Sequence, residues 1–213
     1  MLVDIHSHRY GGQGVVRVHS ASLEEWWSAS PTLDGPISLG VHPWDVASLP
    51  EPDQVMDCLA ARLEYPGVAL MGEIGLDKVC RSPWDLQCRF FLAQLQLASD
   101  RRLPVVIHCV KAMDSVLAFK KRFPDIPYWI IHGFRGKHIQ MTQWLSNGFW
   151  ISFGLQSDAE AVRLCPLDRM FLETDEGEYG LAELYQKTAG IKGCSINELE
   201  ARMESNARMM GIL

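Results

Sequence analysis

Short apolar runs recur along the chain, each closed by turn residues and most followed by a stretch of helical periodicity. They fall at 2–6, 15–18, 37–41, 68–73, 104–108, 128–132, 149–153 and 169–173, which predicts eight strands. The runs are apolar at successive positions rather than at alternate ones, as in strands buried on both faces. Helix start signals lie between them. Ser22 and Glu25 spell a capping box ahead of Trp26 and Trp27. Ser82-Pro83-Trp84-Asp85 offers an N-cap, a proline at the first helical position and an acid in the first turn. Behind it, Trp84, Cys88, Phe91, Leu95 and Ala98 line up as one apolar stripe. Segments 52–65, 112–122, 137–147 and 156–164 predict further helices, and Ser195 with Glu198 opens the last one with a second capping box.

Strands buried on both faces and alternating with helices predict a parallel sheet covered by helices, and eight such units predict a (β/α)₈ barrel. An open doubly wound sheet is the rival, but no glycine-rich turn follows the first strand. One connection is anomalous. The first two strands are separated by about eight residues, Arg9 to Gly14 and their flanks, too few for a crossover helix. The barrel is therefore expected to be distorted and to lack its first helix. No repeat or linker marks a boundary, so residues 1–213 are expected to form a single domain.

Composition narrows the class. A net charge of −6 argues against general adhesion to nucleic acid, although bound divalent cations would reverse the field locally. The six cysteines are scattered with no C-x-x-C pair, which predicts reduced thiols. No basic segment followed by an apolar run opens the sequence, and no stretch approaches the ~18 apolar residues of a membrane span. A cytoplasmic protein with no membrane association and no obligate protein partner is the expectation.

The chemistry collects where the strands end. His6 and His8 close the first predicted strand, Glu73 the fourth, His108 the fifth and His132 the sixth, while the eighth runs into Glu173-Thr174-Asp175. Counting back by twos places Val106 and Pro104 in line with His108, and Ile130 and Tyr128 in line with His132, so each inward row ends in an imidazole. Imidazoles and carboxylates meeting on the carboxyl face of a barrel suit divalent metal, and this donor set suits two ions with a bridging carboxylate. Any one of these histidines alone reads more simply as a hydrogen-bonded core residue. It is the coincidence of all of them at strand ends that carries the reading.

The motifs VDIHSH (3–8), GVHP (40–43), GEIGLD (72–77), VVIH (105–108), IHGF (131–134), ISFG (151–154), PLDRMFLETD (166–175) and SNARMMG (205–211) occur in an order that resembles the TatD family of metal-dependent hydrolases, relatives of the amidohydrolase barrels. The resemblance spans nearly the whole chain. It implies a hydrolase of phosphodiester bonds, often a 3'-5' DNA exonuclease, acting on nucleic acid through metal-activated water at a binuclear site. It implies metal ligation by His6, His8, Glu73, His108, His132 and Asp175, with Glu73 bridging two ions and Asp175 orienting or deprotonating the water. His42 would contact a substrate phosphate, and Arg135 and Lys111 are candidates for the same task. Mg, Mn, Zn and Ni all suit such donors.

The chain departs from the family pattern in three places. Val110-Lys111-Ala112 stands where an Arg-Asp/Glu-Ala run is usual; Glu176-Gly177-Glu178 stands where Ser-Pro and a long basic loop follow LETD; and the first crossover is short. Lys78, Arg81, Lys111, Arg135 and Lys137 all follow strands four to six, where they could form a positive rim for phosphate or could simply be solvated. Trp44 and Phe134 could stack a base or pack the barrel mouth. His19 and His138 belong to no motif and read as surface or supporting residues, Asp4 reads as a support rather than a ligand, and Glu173, in line with Asp175 along its strand, reads as a further support. Two rival functions are an amidohydrolase acting on C–N bonds, disfavoured by Glu73 at the place of a bridging lysine, and a retired barrel that only binds.

Overall fold

The computed structural model describes residues 1–27 and 35–213. All eight predicted strands are present, as β1 (Leu2–Ser7), β2 (Val15–Ser20), β3 (Ile37–Leu39), β4 (Val68–Asp77), β5 (Val105–Val110), β6 (Trp129–Ile131), β7 (Trp150–Phe153) and β8 (Met170–Leu172). They are ordered β1 to β8 in sequence, the strand order of a (β/α)₈ barrel. Among the described residues, no helix is long and apolar enough to cross a membrane.

The chain packs as two compact units, one built mainly of residues 1–19 and 130–213 and the other mainly of residues 37–129. In the first unit β6, β7 and β8 pair in parallel, with α5 (His138–Ser146) and α6 (Ala159–Leu164) following β6 and β7 where helices are expected, and β1 pairs with β2. No helix joins β1 to β2, as the spacing predicts. Leu2 lies beside Val15, so residues 8–14 must return the full length of β1. An extended link of that length reaches roughly 25 Å, against a strand rise of about 17 Å, so the return needs no helix.

After β8 the chain forms two helices, α7 (Leu181–Lys192) and α8 (Ile196–Met209). The sequence signals mark only α8, whose capping box is present: Ser195 Oγ accepts the Glu198 N–H (3.2 Å) and Glu198 Oε2 accepts the Ser195 N–H (2.8 Å). α7 lacks a side-chain cap and carries Gly190 near its end, which hides it from pattern reading. It docks through Tyr185, whose buried hydroxyl donates to Val3 O (2.8 Å) and accepts the Val3 N–H (3.0 Å). Burial drives the Tyr185 pKa upward, so this hydroxyl stays protonated. α8 docks through buried Asn206, whose amide donates to the Leu167 and Met170 carbonyls (2.9 and 3.0 Å).

The second unit carries β3, β4 and β5 with α2 (Pro52–Arg62), α3 (Trp84–Arg101) and α4 (Met113–Arg122). The Ser22–Glu25 capping box opens the short α1 (Leu23–Trp27), and residues 28–34 beyond it lie outside the described residues. Ser82 is not the N-cap of α3. Pro83 takes that position, and the Ser82 hydroxyl instead donates to Trp44 O (3.0 Å). Of the expected apolar stripe, Phe91, Leu95 and Ala98 are fully buried, but the inner face also carries two buried glutamines. Gln94 brackets the Val41 peptide, accepting its N–H (2.6 Å) and donating to its carbonyl (3.1 Å). Gln87 does the same for Asp77 (2.8 and 3.0 Å). A buried amide with every partner met fixes geometry at little cost, because both backbone groups would otherwise stand unpaired away from water. α3 therefore sets the ends of the β3 loop and of β4.

Candidate metal centre

The first unit gathers His6, His8, His132 and Asp175. The backbone of the segment after β8 hydrogen-bonds to β1: Asp175 N–H donates to His6 O (3.0 Å) and His8 N–H to Asp175 O (3.4 Å). This ladder brings Asp175 Oδ1 to 3.7 Å from His6 Nε2 and 3.6 Å from His8 Nε2. Donor atoms of these three residues all lie within 4.8 Å of one another, close enough to share one ion. The His132 ring stands 4.5 Å from that of His6, centre to centre. His6 is fully buried, whereas His8 and Asp175 are about one-third exposed, so the cluster opens to solvent on one side.

Behind this cluster stands a buried support. Asp4 Oδ1 accepts the Thr174 N–H (2.9 Å), and Asp4 Oδ2 takes both the Thr174 hydroxyl (2.7 Å) and the Arg17 Nε–H (2.8 Å). Burial raises the Asp4 pKa above its ordinary value, while Arg17 and Thr174 oppose the rise. Thr174 sits between Glu173 and Asp175, and Asp175 has φ of 51°, a left-handed conformation uncommon for a residue with a side chain. Asp4 is thus a support rather than a ligand, as the sequence suggests. Glu173 plays a similar part for His132, its Oε1 lying 3.2 Å from Nδ1 while also accepting the Gly133 N–H. Burial would raise the Glu173 carboxyl, but the charge and hydrogen bond of His132 hold it below its ordinary value. His132 is thereby oriented by a carboxylate, the usual partner of a metal-binding imidazole.

The second unit gathers His42, Glu73 and His108, whose donor atoms again lie within 4.8 Å of one another. Glu73 Oε1 is 2.8 Å from His108 Nδ1 and 3.2 Å from His42 Nε2. Close packing of β4 on β5 makes this possible. Gly75 lies opposite His108 in register, and a Cβ on Gly75 would fall 1.9 Å from the His108 carbonyl oxygen. Only glycine fits there.

β4 runs four residues past its expected end, from Glu73 to Asp77, so Glu73 lies within the strand and the whole of GEIGLD is extended. That continuation reveals a site residue with no role assigned by sequence. Asp77 Oδ2 stands 3.2 Å from His108 Nε2 and accepts the Trp44 indole N–H (2.8 Å), and Oδ1 accepts the Val79 and Cys80 N–H groups (2.7 and 3.1 Å). Burial works against ionisation, yet these four donors hold the Asp77 pKa below its ordinary value. Its place in GEIGLD is the available signal, but the apolar run that marks the strand in the sequence ends at Glu73.

The remaining candidates separate. Arg135 lines a cavity of about 270 Å³ together with Asp175, Glu173, Tyr179 and Ser157. Lys111 is exposed just past β5. Lys78 and Lys137 do not form a free rim: Lys78 Nζ lies 5.2 Å from the Trp84 ring centre, and Lys137 Nζ is 2.6 Å from Asp158. Phe134 is buried against Phe153 with ring centres 5.9 Å apart, so it packs, whereas Trp44 is 61% exposed. His19 is buried and stacked on Tyr10, with ring centres 4.3 Å apart, rather than on the surface.

Imidazole and carboxylate donors, with carboxylates and backbone orienting them, fit a divalent cation by charge, hardness and geometry. Similarity to known proteins agrees. An uncharacterized metal-dependent hydrolase of Haemophilus influenzae is 32% identical over 149 residues, 64% of this chain and 57% of that protein. A protein of Erwinia amylovora named 3'-5' ssDNA/RNA exonuclease TatD is 28% identical over 201 residues, 80% of this chain and 76% of that one. The matched part thus spans little more than half the length of the Haemophilus relative. The crystal structure of a TatD homologue from Escherichia coli superposes with a TM-score of 0.81 at 21% identity, covering 98% of this chain and 97% of the other, which shows the shared barrel fold. The sequence model of the TatD related DNase family matches residues 7–210, and the chain belongs to that family.

Proposed function

We propose that the protein is a phosphodiesterase acting on nucleic acid, with one divalent ion held by His6, His8 and Asp175 and a second by His42, Glu73 and His108, so that His42 would serve as a ligand in place of the phosphate contact that the family resemblance implies. The reading rests on one observation above the others: each of these triads already has its donor atoms within 4.8 Å. Bound divalent ions would supply Lewis-acid polarisation of a phosphoryl oxygen and of the attacking water. His132 joins the first group through its neighbour His6, and Asp77 fixes the ring of His108 from the far nitrogen. Asp175, partly exposed and beside two imidazoles, would accept the proton of the attacking water. Glu73, expected from the family resemblance to serve both ions, is the carboxylate of the second triad. Arg135, at the rim of the cavity that Asp175 lines, would hold a phosphate by paired N–H donors, and exposed Lys111 would add charge. The names of the relatives, an exonuclease among them, support nucleic acid as the substrate class.

The test is chelator-treated protein reconstituted with Mg, Mn, Zn or Ni and assayed on single- and double-stranded oligonucleotides. Turnover restored by metal and lost in both His108→Ala and Asp175→Ala is the expected result. Turnover that survives either substitution, or metal uptake with no cleavage of any phosphodiester, overturns the proposal.

A further inference from the structure

Trp44 is the feature that the proposed chemistry leaves unused. A tryptophan 61% exposed beside buried polar residues is unusual, since large aromatic surface in water is costly. Nor is it loosely held. Its indole N–H donates to Asp77 Oδ2 (2.8 Å), its backbone N–H to His42 Nδ1 (3.2 Å), and its carbonyl accepts the Ser82 hydroxyl (3.0 Å). The ring meets His42 and His108 edge to face, with centres 5.0 and 5.9 Å apart. An immobilised ring has already lost its rotamer freedom, so a ligand that stacks on it pays little further entropy.

The ring forms one wall of an open groove of about 350 Å³, lined also by Asp77, Val79, Cys80, Arg81 and Ser82. Val79 is 62% exposed and continues the apolar floor. That volume is at the small end of ligand sites, which run from about 300 to 1,000 Å³, and suits one nucleoside better than a run of several. The groove shares Asp77 with the His108 group, so its occupant would lie beside the ion proposed for that group. Flat apolar walls recognise a planar aromatic ring of any identity, while the exposed Arg81 at the rim suits the adjoining phosphate.

We infer that this groove is a subsite for one nucleobase of the substrate, with Trp44 as its stacking platform and Arg81 as its phosphate contact. The inference rests on the proposed phosphodiesterase reading and adds a specificity determinant to it. Stacking of this kind predicts sequence-tolerant preference for a base over an empty sugar.

The experiment compares a dinucleotide with two counterparts in which one or the other nucleoside is an abasic tetrahydrofuran residue. Wild-type protein is expected to favour the intact dinucleotide over one of the abasic forms by roughly 5- to 100-fold in kcat/KM. Trp44→Ala should reduce that ratio to within about twofold, and Trp44→Phe, which keeps a stacking face but loses the N–H to Asp77, should retain most of it. An undiminished ratio in Trp44→Ala overturns the inference, as does an equal fall on all substrates, which would mean that Trp44 acts only through Asp77. If wild-type protein cleaves no phosphodiester, the proposed function fails by itself. Titration of metal-free protein with thymidine monophosphate then still decides the subsite. Binding weakened at least fivefold by Trp44→Ala and kept by Trp44→Phe upholds it, and unchanged or absent binding refutes it.

Discussion

Replacing Asp4 tests how the Asp175 group is held. The carboxylate is fully buried and serves Thr174 twice and Arg17 once, and the Arg17 side chain is itself only 15% exposed. Asp4→Ala removes the acceptor and strands a guanidinium that is mostly out of water. Breaking such a pair from one side costs about 3–5 kcal/mol. For a chain of this size that is a fall in Tm of roughly 6–20 °C. Asp4→Asn keeps the shape but turns an amide donor toward donors, so the loss should be smaller, about 1.5–3 kcal/mol. Removing Arg17 as well, in Asp4→Ala with Arg17→Met, should recover at least about 1 kcal/mol because no charge is left stranded. The second readout is metal affinity. Asp175 adopts φ of 51°, a conformation whose strain of order 1–3 kcal/mol persists only while neighbours enforce it. Once Thr174 is released, affinity for Mn or Zn by calorimetry should fall about 10- to 100-fold. A denaturant titration showing Asp4→Ala within 1 kcal/mol of wild type, or unaltered metal affinity in the folded variant, would refute the account.

Other perturbations follow from packing and charge. Gly75→Ala drives a Cβ into the His108 carbonyl and should cost at least about 3 kcal/mol or prevent folding; a variant melting within about 2 °C of wild type contradicts the close-approach argument. Gln94→Ala leaves both polar groups of Val41 unpaired in the interior, for an expected loss of about 2–4 kcal/mol by urea unfolding. The stability of the metal-free protein should depend on pH through Glu173. Its carboxyl is held below its ordinary value of 4.5, so the stability it contributes is present above that pH and is lost as pH falls through the depressed native pKa. Glu173→Gln should therefore flatten the acid limb of the stability curve, and an unchanged limb argues against the His132 pairing.

The strands were readable because both faces of each are buried, which leaves consecutive apolar residues as a mark that polar loops cannot imitate. The capping boxes at Ser22 and Ser195 were readable for a different reason, since the reciprocal bonds depend only on two residues three apart. Signals that depend on distant partners were not readable. Ser82 looks like a cap until Trp44 O claims its hydroxyl, and Lys78 and Lys137 look like a rim until Trp84 and Asp158 engage them. Asp77 lies beyond the strand end that the apolar run marks at Glu73, and it is Gln87 and β5 that keep the continuation extended. The donor residues themselves stand out in sequence by chemical type and strand position. Their supports, Asp4 and Glu173 excepted, emerge only from three-dimensional contact.

Gln87 and Gln94 stand seven residues apart on α3, two turns or about 10 Å along its axis. The helix accordingly works as a ruler, with one mark reading the β3 loop that carries His42 and the other the end of β4. Its outward-facing side chains can vary between the marks, but its count cannot. A single residue inserted or deleted there would rotate one glutamine by about 100° and lift it off its peptide while the other stayed hooked. Length between these positions is therefore under tighter constraint than the identity of the outward-facing side chains.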